Sequence, residues 1–65
     1  MKIEGRTIDM KTDYLSPVTY KPSHVTSPKD YELGVLVDHN DKFVKVLYCN
    51  NRTVQSTDPR DLVWG

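Results

Sequence analysis

Leu33-Gly34-Val35-Leu36-Val37, Phe43-Val44-Lys45-Val46-Leu47-Tyr48, Arg52-Thr53-Val54-Gln55-Ser56 and Leu62-Val63-Trp64 follow one another in the 35 residues from Tyr31 to Gly65. Short β-branched and aromatic runs, broken every five to ten positions by Asp, Asn and Pro, read as strands joined by tight turns. No stretch carries the 3.6-residue apolar period of a helix, and no run alternates with helical segments as a βαβ unit requires. The stretch therefore predicts an all-β fold of about five short antiparallel strands.

The local chemistry supports the boundaries. Asp38-His39-Asn40-Asp41 separates two runs of alternating apolar residues, the pattern of a hairpin with one buried face. Period-two alternation places Val44, Val46 and Tyr48 on one face and Phe43, Lys45, Leu47 and Cys49 on the other. Asn50-Asn51 supplies the next turn, since Asn tolerates positive φ. Thr57-Asp58-Pro59-Arg60-Asp61-Leu62 then reads as one helical turn. Asp58 caps it, Pro59 sits where its missing N–H costs nothing, and Asp61 is placed to close a capping box.

The N-terminal part differs in kind. Pro17, Pro22 and Pro28 fall within twelve residues, which rules out a helix and favours extended backbone. Residues 1–13 are expected as an extended arm carrying a strand around Ile3 to Met10. Residues 14–28 are expected as a Pro-rich wrap over the domain, with a short strand at His24 to Thr26, so that the domain proper spans residues 14–65. The apolar outer positions Phe43 and Leu47 call for a cover, and the wrap is the expected one. A lone strand in the arm must pair with a sheet edge, which suggests self-association or partner binding by β-augmentation.

Size and charge narrow the function classes. A chain of 65 residues makes one domain and buries only ~60% of its unfolded surface. A cleft of a few hundred cubic ångströms on a rigid scaffold, as catalysis requires, is hard to build at this length. Lys and Arg total nine, as do Asp and Glu, so the chain has no general attraction for a phosphate backbone. Residues 1–29 hold five basic and three acidic side chains and residues 30–65 hold four and six, which is a mixed surface. The single Cys49 excludes an internal disulfide and a cysteine-based zinc site. With no apolar run of ten residues, the sequence predicts neither signal peptide nor membrane span, and a cytoplasmic location is expected.

The order of an extended lead-in, a Gly-Val-Leu-Val strand, a polar turn, Phe43-Val44-Lys45-Val46-Leu47-Tyr48, a Thr-rich strand, Asp58-Pro59-Arg60-Asp61-Leu62 and a terminal strand resembles the SH3-like barrel in its KOW and Tudor-like versions. A one-turn 3₁₀ helix before the last strand is a hallmark of that family, and Thr57 to Leu62 stands at the matching place. The likeness covers residues 24 to 64 and implies a small closed barrel, but the superfold hosts unrelated functions. The compact form Gly-Val-x-Val, Val-Lys-Val-Leu-Tyr and Pro-x-x-Leu is similar to small proteins encoded by tailed bacteriophages. That likeness implies an accessory or virion role, in the host cytoplasm or the virion, rather than an activity.

Candidate chemistry is sparse. His24, His39 and Cys49 lie on three different elements and match no metal-ligand spacing. No motif surrounds Cys49 that would make it a nucleophile, and a buried or half-buried structural thiol is the expectation. Asp38, Asp41, Asp58 and Asp61 all stand where turns and caps need acceptors. No catalytic residue, metal ligand or cofactor is predicted.

The aromatic set is the remaining candidate. Tyr14, Tyr20, Tyr31 and Trp64, with Arg52 and Arg60, form the candidate binding set, because loop aromatics on SH3-like barrels grip proline-rich peptides or methylated cations. Core and wrap packing is the competing use of the same rings. The sequence thus predicts a non-enzymatic module that binds a viral or host protein or its own copies. The alternative is a nucleic-acid-binding barrel using Lys2, Arg6, Lys11, Lys21, Arg52 and Arg60, against which the zero net charge stands.

Overall fold

The computed structural model describes all residues from Met1 to Gly65. Its centre is a five-stranded antiparallel sheet in the order β6-β5-β4-β3-β7. The strands are β3 (Pro17–Tyr20), β4 (Glu32–His39), β5 (Val44–Tyr48), β6 (Thr53–Thr57) and β7 (Leu62–Trp64). A hairpin of β1 (Lys2–Ile3) and β2 (Arg6–Thr7) and a single helical turn, α1 (Met10–Asp13), precede them. Strand β4 is bulged between Leu36 and Asp38, where Val37 is the extra residue. A bulge bends the strand and lets it serve both neighbours.

One face of the sheet makes the core. Val18, Leu36, Val44, Val46, Tyr48 and Leu62 are buried on it, with Ile3 and Ile8 from the N-terminal segment set over them and Tyr20, Trp64, Met1 and Met10 at its margin. Val44, Val46 and Tyr48 therefore share the inner face, as the alternation predicts. Gly34 lies on that face opposite Tyr48, and a Cβ there would stand 2.5 Å from Val46 Cγ1 and 2.8 Å from the Leu47 carbonyl oxygen. Only glycine permits that approach.

The sheet is not closed into a barrel. Strand β6 pairs with β5 alone and β7 with β3 alone among the sheet strands, and no hydrogen bonds join β6 to β7. The first residues lie beside the free edge of β7. Residues 1–13 do not extend away as an arm. Glu4 (φ 52°) and Gly5 (φ 79°) form a two-residue turn of the primed type, which suits the twist of a hairpin. The Ile8 N–H donates to the Met1 carbonyl at 2.9 Å, and Ile3 is wholly buried. Asp9 then caps α1 by accepting from the Lys11 N–H at 3.0 Å, and Asp13 Oδ2 accepts the Asp9 N–H at 2.8 Å. This reciprocal cap is the arrangement expected at Asp58 and Asp61.

At the turn before β7 only half of that expectation holds. Asp58 accepts from the Arg60 N–H at 2.9 Å at the start of the 3₁₀ turn Pro59–Asp61, while Asp61 makes no return bond. Three further expectations are corrected. Pro17–Tyr20, read as wrap, is a strand hydrogen-bonded on both sides, with Pro17 at its first position where a missing N–H is tolerated. His24 to Thr26 is not a strand but part of a loop that ends in the 3₁₀ turn Pro28–Asp30. In the β5–β6 turn the left-handed residue is Arg52 (φ 55°), and Asn51 instead accepts the Thr53 N–H at 3.2 Å.

Candidate interaction surfaces

Because the Pro-rich segment enters the sheet rather than covering it, the second face of the sheet stays open. Register carries one apolar row across four strands: Pro17 opposite Val35, Val35 opposite Leu47, and Leu47 opposite Val54. Leu33 stands beside that row and is 62% exposed, Val54 is 54% exposed, and Phe43, just before β5, is 42% exposed. Cys49, expected as a buried or half-buried thiol, is exposed on the same side. An open groove of about 410 Å³ runs there between Lys29, Tyr31, Leu33, Cys49 and Asn50.

The inner face carries a second, polar cleft of about 330 Å³ where the core ends, walled by Tyr20, Glu32, Tyr48, Gln55, Asp58 and Asp61 among others. Tyr48 spans core and cleft. Its ring meets Tyr20 edge-on at 6.3 Å and 82°, and its hydroxyl shares a hydrogen bond with Thr57 Oγ1 at 2.7 Å. Burial pushes the Tyr48 hydroxyl above its ordinary pKa. Every buried side-chain polar atom has a hydrogen-bond partner, and no group of three or more His, Cys, Asp or Glu side chains converges.

The two outer edges of the sheet differ. The edge of β7 is occupied: Glu4 Oε1 accepts the Trp64 N–H at 2.7 Å, and the Trp64 indole N–H donates to the Ile3 carbonyl at 2.8 Å. Arg6 lies 3.8 Å above the same indole and pairs with Asp13 at 3.1 Å. The carboxyl of Asp13 is held below its ordinary value first by the Asp9 N–H and then by the Arg6 guanidinium, although burial opposes this. A continuous chain of polar contacts thus pins the hairpin and α1 against the last strand. The edge of β6 has no such cover, and its residues are exposed from Thr53 to Ser56.

The six candidate binding residues do not converge. Trp64 is half-buried in the hairpin contact just described, and Tyr20 packs at the core margin. Tyr14 is exposed at the end of α1. Arg52 is exposed in the β5–β6 turn. Arg60 is held by Asp58 at 2.7 Å, an ion pair whose hydrogen bonds lower the Asp58 pKa to about 2 and raise that of Arg60. Tyr31 alone of the set lines the groove of the open face, with the Lys21 ammonium 5.5 Å from its ring centre.

The residues that dominate the open face, Leu33, Val35, Leu47 and Val54, were not among the candidates. Their signal was the apolar character of both faces of β5, which the expected wrap explained away. No helix is long and apolar enough to cross a membrane. No family model, curated protein or solved structure matches the chain.

Proposed function

We propose that the chain is a non-enzymatic protein-interaction module that docks the open face of its sheet on an apolar surface of another polypeptide, viral or host, in the accessory or virion setting that the phage likeness implies. The observation that carries this reading is the row Pro17, Val35, Leu47 and Val54 with Leu33 beside it, of which Pro17, Leu33 and Val54 are exposed and Val35 and Leu47 half-buried, in a domain that has few apolar residues to spare. Contiguous apolar surface on a small soluble domain marks contact with another macromolecule. The order β6-β5-β4-β3-β7, in which the last strand returns to the free side of the first, supports an SH3-like ancestry for a sheet left open along the β6–β7 seam.

The nucleic-acid reading gains no observation of its own. Arg6 and Arg60, two of its six cations, are engaged with Asp13 and Asp58. A photo-crosslinking residue placed at position 33 or 54 in the producing cell tests the docking reading against the same residue at position 11, on the exposed side of α1. Adducts to one polypeptide from 33 and 54 that Leu47→Glu abolishes, in a variant with unchanged circular dichroism, would support it. Equal labelling from position 11, or none from the open face, would overturn it.

A further inference from the structure

The two edges of the sheet invite different partners, and the β6 edge has the features of a self-complementary one. Strand β6 reads Thr53-Val54-Gln55-Ser56-Thr57. It holds no Lys, no Pro and no bulge, the devices by which an edge strand is ordinarily kept from pairing. Its residues are uncharged and β-prone, and its outer side has no strand partner. Charge is placed only at its two ends: Arg52 before it and Asp58 after it, the latter in a cleft shared with Glu32 and Asp61.

We propose that two copies of the chain associate through β6, antiparallel, about a two-fold axis at Gln55. That axis sets Gln55 opposite Gln55 of the second copy, Val54 opposite Ser56, Thr53 opposite Thr57, and Arg52 opposite Asp58. Within the strand no charges meet, and each Arg52 arrives beside the Asp58–Arg60 pair of the other copy, where Asp61 and Glu32 of the same cleft leave the end acidic. The side chain of Arg52 makes no hydrogen bond or ion pair within its own chain, so the pairing gives it a partner. Two five-stranded sheets become one of ten strands, and the apolar rows that end at Val54 are brought onto one surface.

The edges also fix the stoichiometry. An isologous contact uses the same edge on both copies and closes on itself. The other edge, β7, is occupied by Glu4 and the hairpin, so no third copy can add, and the product is a dimer rather than a fibre. Few side chains lie across so short a strand, which places the contact among small, weak interfaces. This inference rests on the edge and not on the open face, and it stands or falls separately from the docking reading.

Sedimentation of the full chain from micromolar to millimolar concentration tests it first. A concentration-dependent dimer with no larger species is expected; a monomer throughout, or open-ended polymers, would overturn the proposal. Register is tested by charge at the axis. Gln55→Glu and Gln55→Lys each set like charges face to face, and each alone should weaken dimerisation roughly tenfold or more. Mixing the two should restore it, because opposite charges then meet.

If the unmodified chain dimerises but the mixture stays monomeric, the axis is not at Gln55 and the proposal fails. A Cys49→Ser, Gln55→Cys chain should form a disulfide-linked dimer on mild oxidation, since residues facing each other across antiparallel strands lie within disulfide reach. Cys49→Ser, Thr53→Cys should not, because its cysteines are out of register. Circular dichroism confirms the fold of each exposed-strand variant. Equal cross-linking from both positions would overturn the register.

Discussion

The two ends of the sheet show opposite solutions to one problem. Any open sheet leaves a row of backbone N–H and C=O groups at each side. At β7 the chain spends its first thirteen residues on that row: a primed turn at Glu4 and Gly5 brings a carboxylate to the Trp64 N–H, and Ile3 enters the core beneath. At β6 it spends nothing. The residues that guard the β7 edge are also the ones that complete the core, through Ile3 and Ile8. The difference teaches that the covered edge is the one whose cover also buries apolar side chains.

The largest expected effect tests whether the guard is part of the core. Ile3→Ala should cost roughly 2 to 5 kcal/mol, the range for truncating a fully buried aliphatic side chain. That is most of the stability of a domain this small. Urea unfolding should show it as a large drop in midpoint. If the midpoint stays put and residues 1–13 exchange their amides as fast as a free peptide, the guarded edge is not guarded.

A smaller effect separates the polar lock from the apolar one. Trp64→Phe keeps a ring on the core margin but removes the indole bond to the Ile3 carbonyl and weakens the stacking of Arg6. The loss should be about 1 kcal/mol, with faster exchange of the β1–β2 amides and no change in those of β5 and β6. Uniform acceleration across the sheet would mean that the hairpin has no separate opening.

Acid should reach both edges by different carboxylates. Asp13, at the guarded edge, titrates below its ordinary 3.8 because the Asp9 N–H and Arg6 favour its charged form. Asp58, at the end of β6, falls to about 2 through its bonds to Arg60. A folded value below the unfolded one means stability that is complete above about pH 4 and is lost as pH falls through the folded value. The melting temperature should therefore decline from pH 4 downward. Asp13→Asn should lower it at neutral pH and flatten the decline, with the N-terminal amides losing protection first. An unchanged slope would show that Asp13 contributes nothing to the lock.

What the sequence made legible follows the reach of each signal. The strands β4 to β7, the inner face of Val44, Val46 and Tyr48, and the cap at Asp58 were all readable, because period-two patterning and turn chemistry act within a few residues. The hairpin was not, although Glu4-Gly5 is a fair turn signal. Two-residue strands have too short a period to detect, and Ile3 alone does not announce its burial. Strand β3 was hidden by Pro17, which is harmless at a first strand position, and calling it a wrap then supplied a cover for Leu47 that does not exist. The open face and the unequal edges depend on which strand lies beside which. Only pairing reveals that Pro17, Val35, Leu47 and Val54 form a row.

The smallest effects concern two strained residues, one on each side. Leu15 (φ 66°) joins α1 to β3 near the guarded edge, and Arg52 (φ 55°) leads into β6 at the open one. A left-handed conformation costs a non-glycine residue about 1 to 2 kcal/mol, while glycine loses roughly 0.5 to 1 kcal/mol more backbone entropy on folding. Both side chains are exposed, so little contact is forfeited. Leu15→Gly and Arg52→Gly should each raise the melting temperature of dilute protein slightly, by a net stabilisation of about 0.5 kcal/mol. They should part company on concentration. Leu15→Gly leaves association as it was, whereas Arg52→Gly removes the cation that meets Asp58 of the second copy and weakens the dimer in sedimentation, more at low salt than at high. Equal association by the two variants would show that the ends of β6 do not face each other, and that whatever the open edge pairs with, it is not a second copy in the register centred on Gln55.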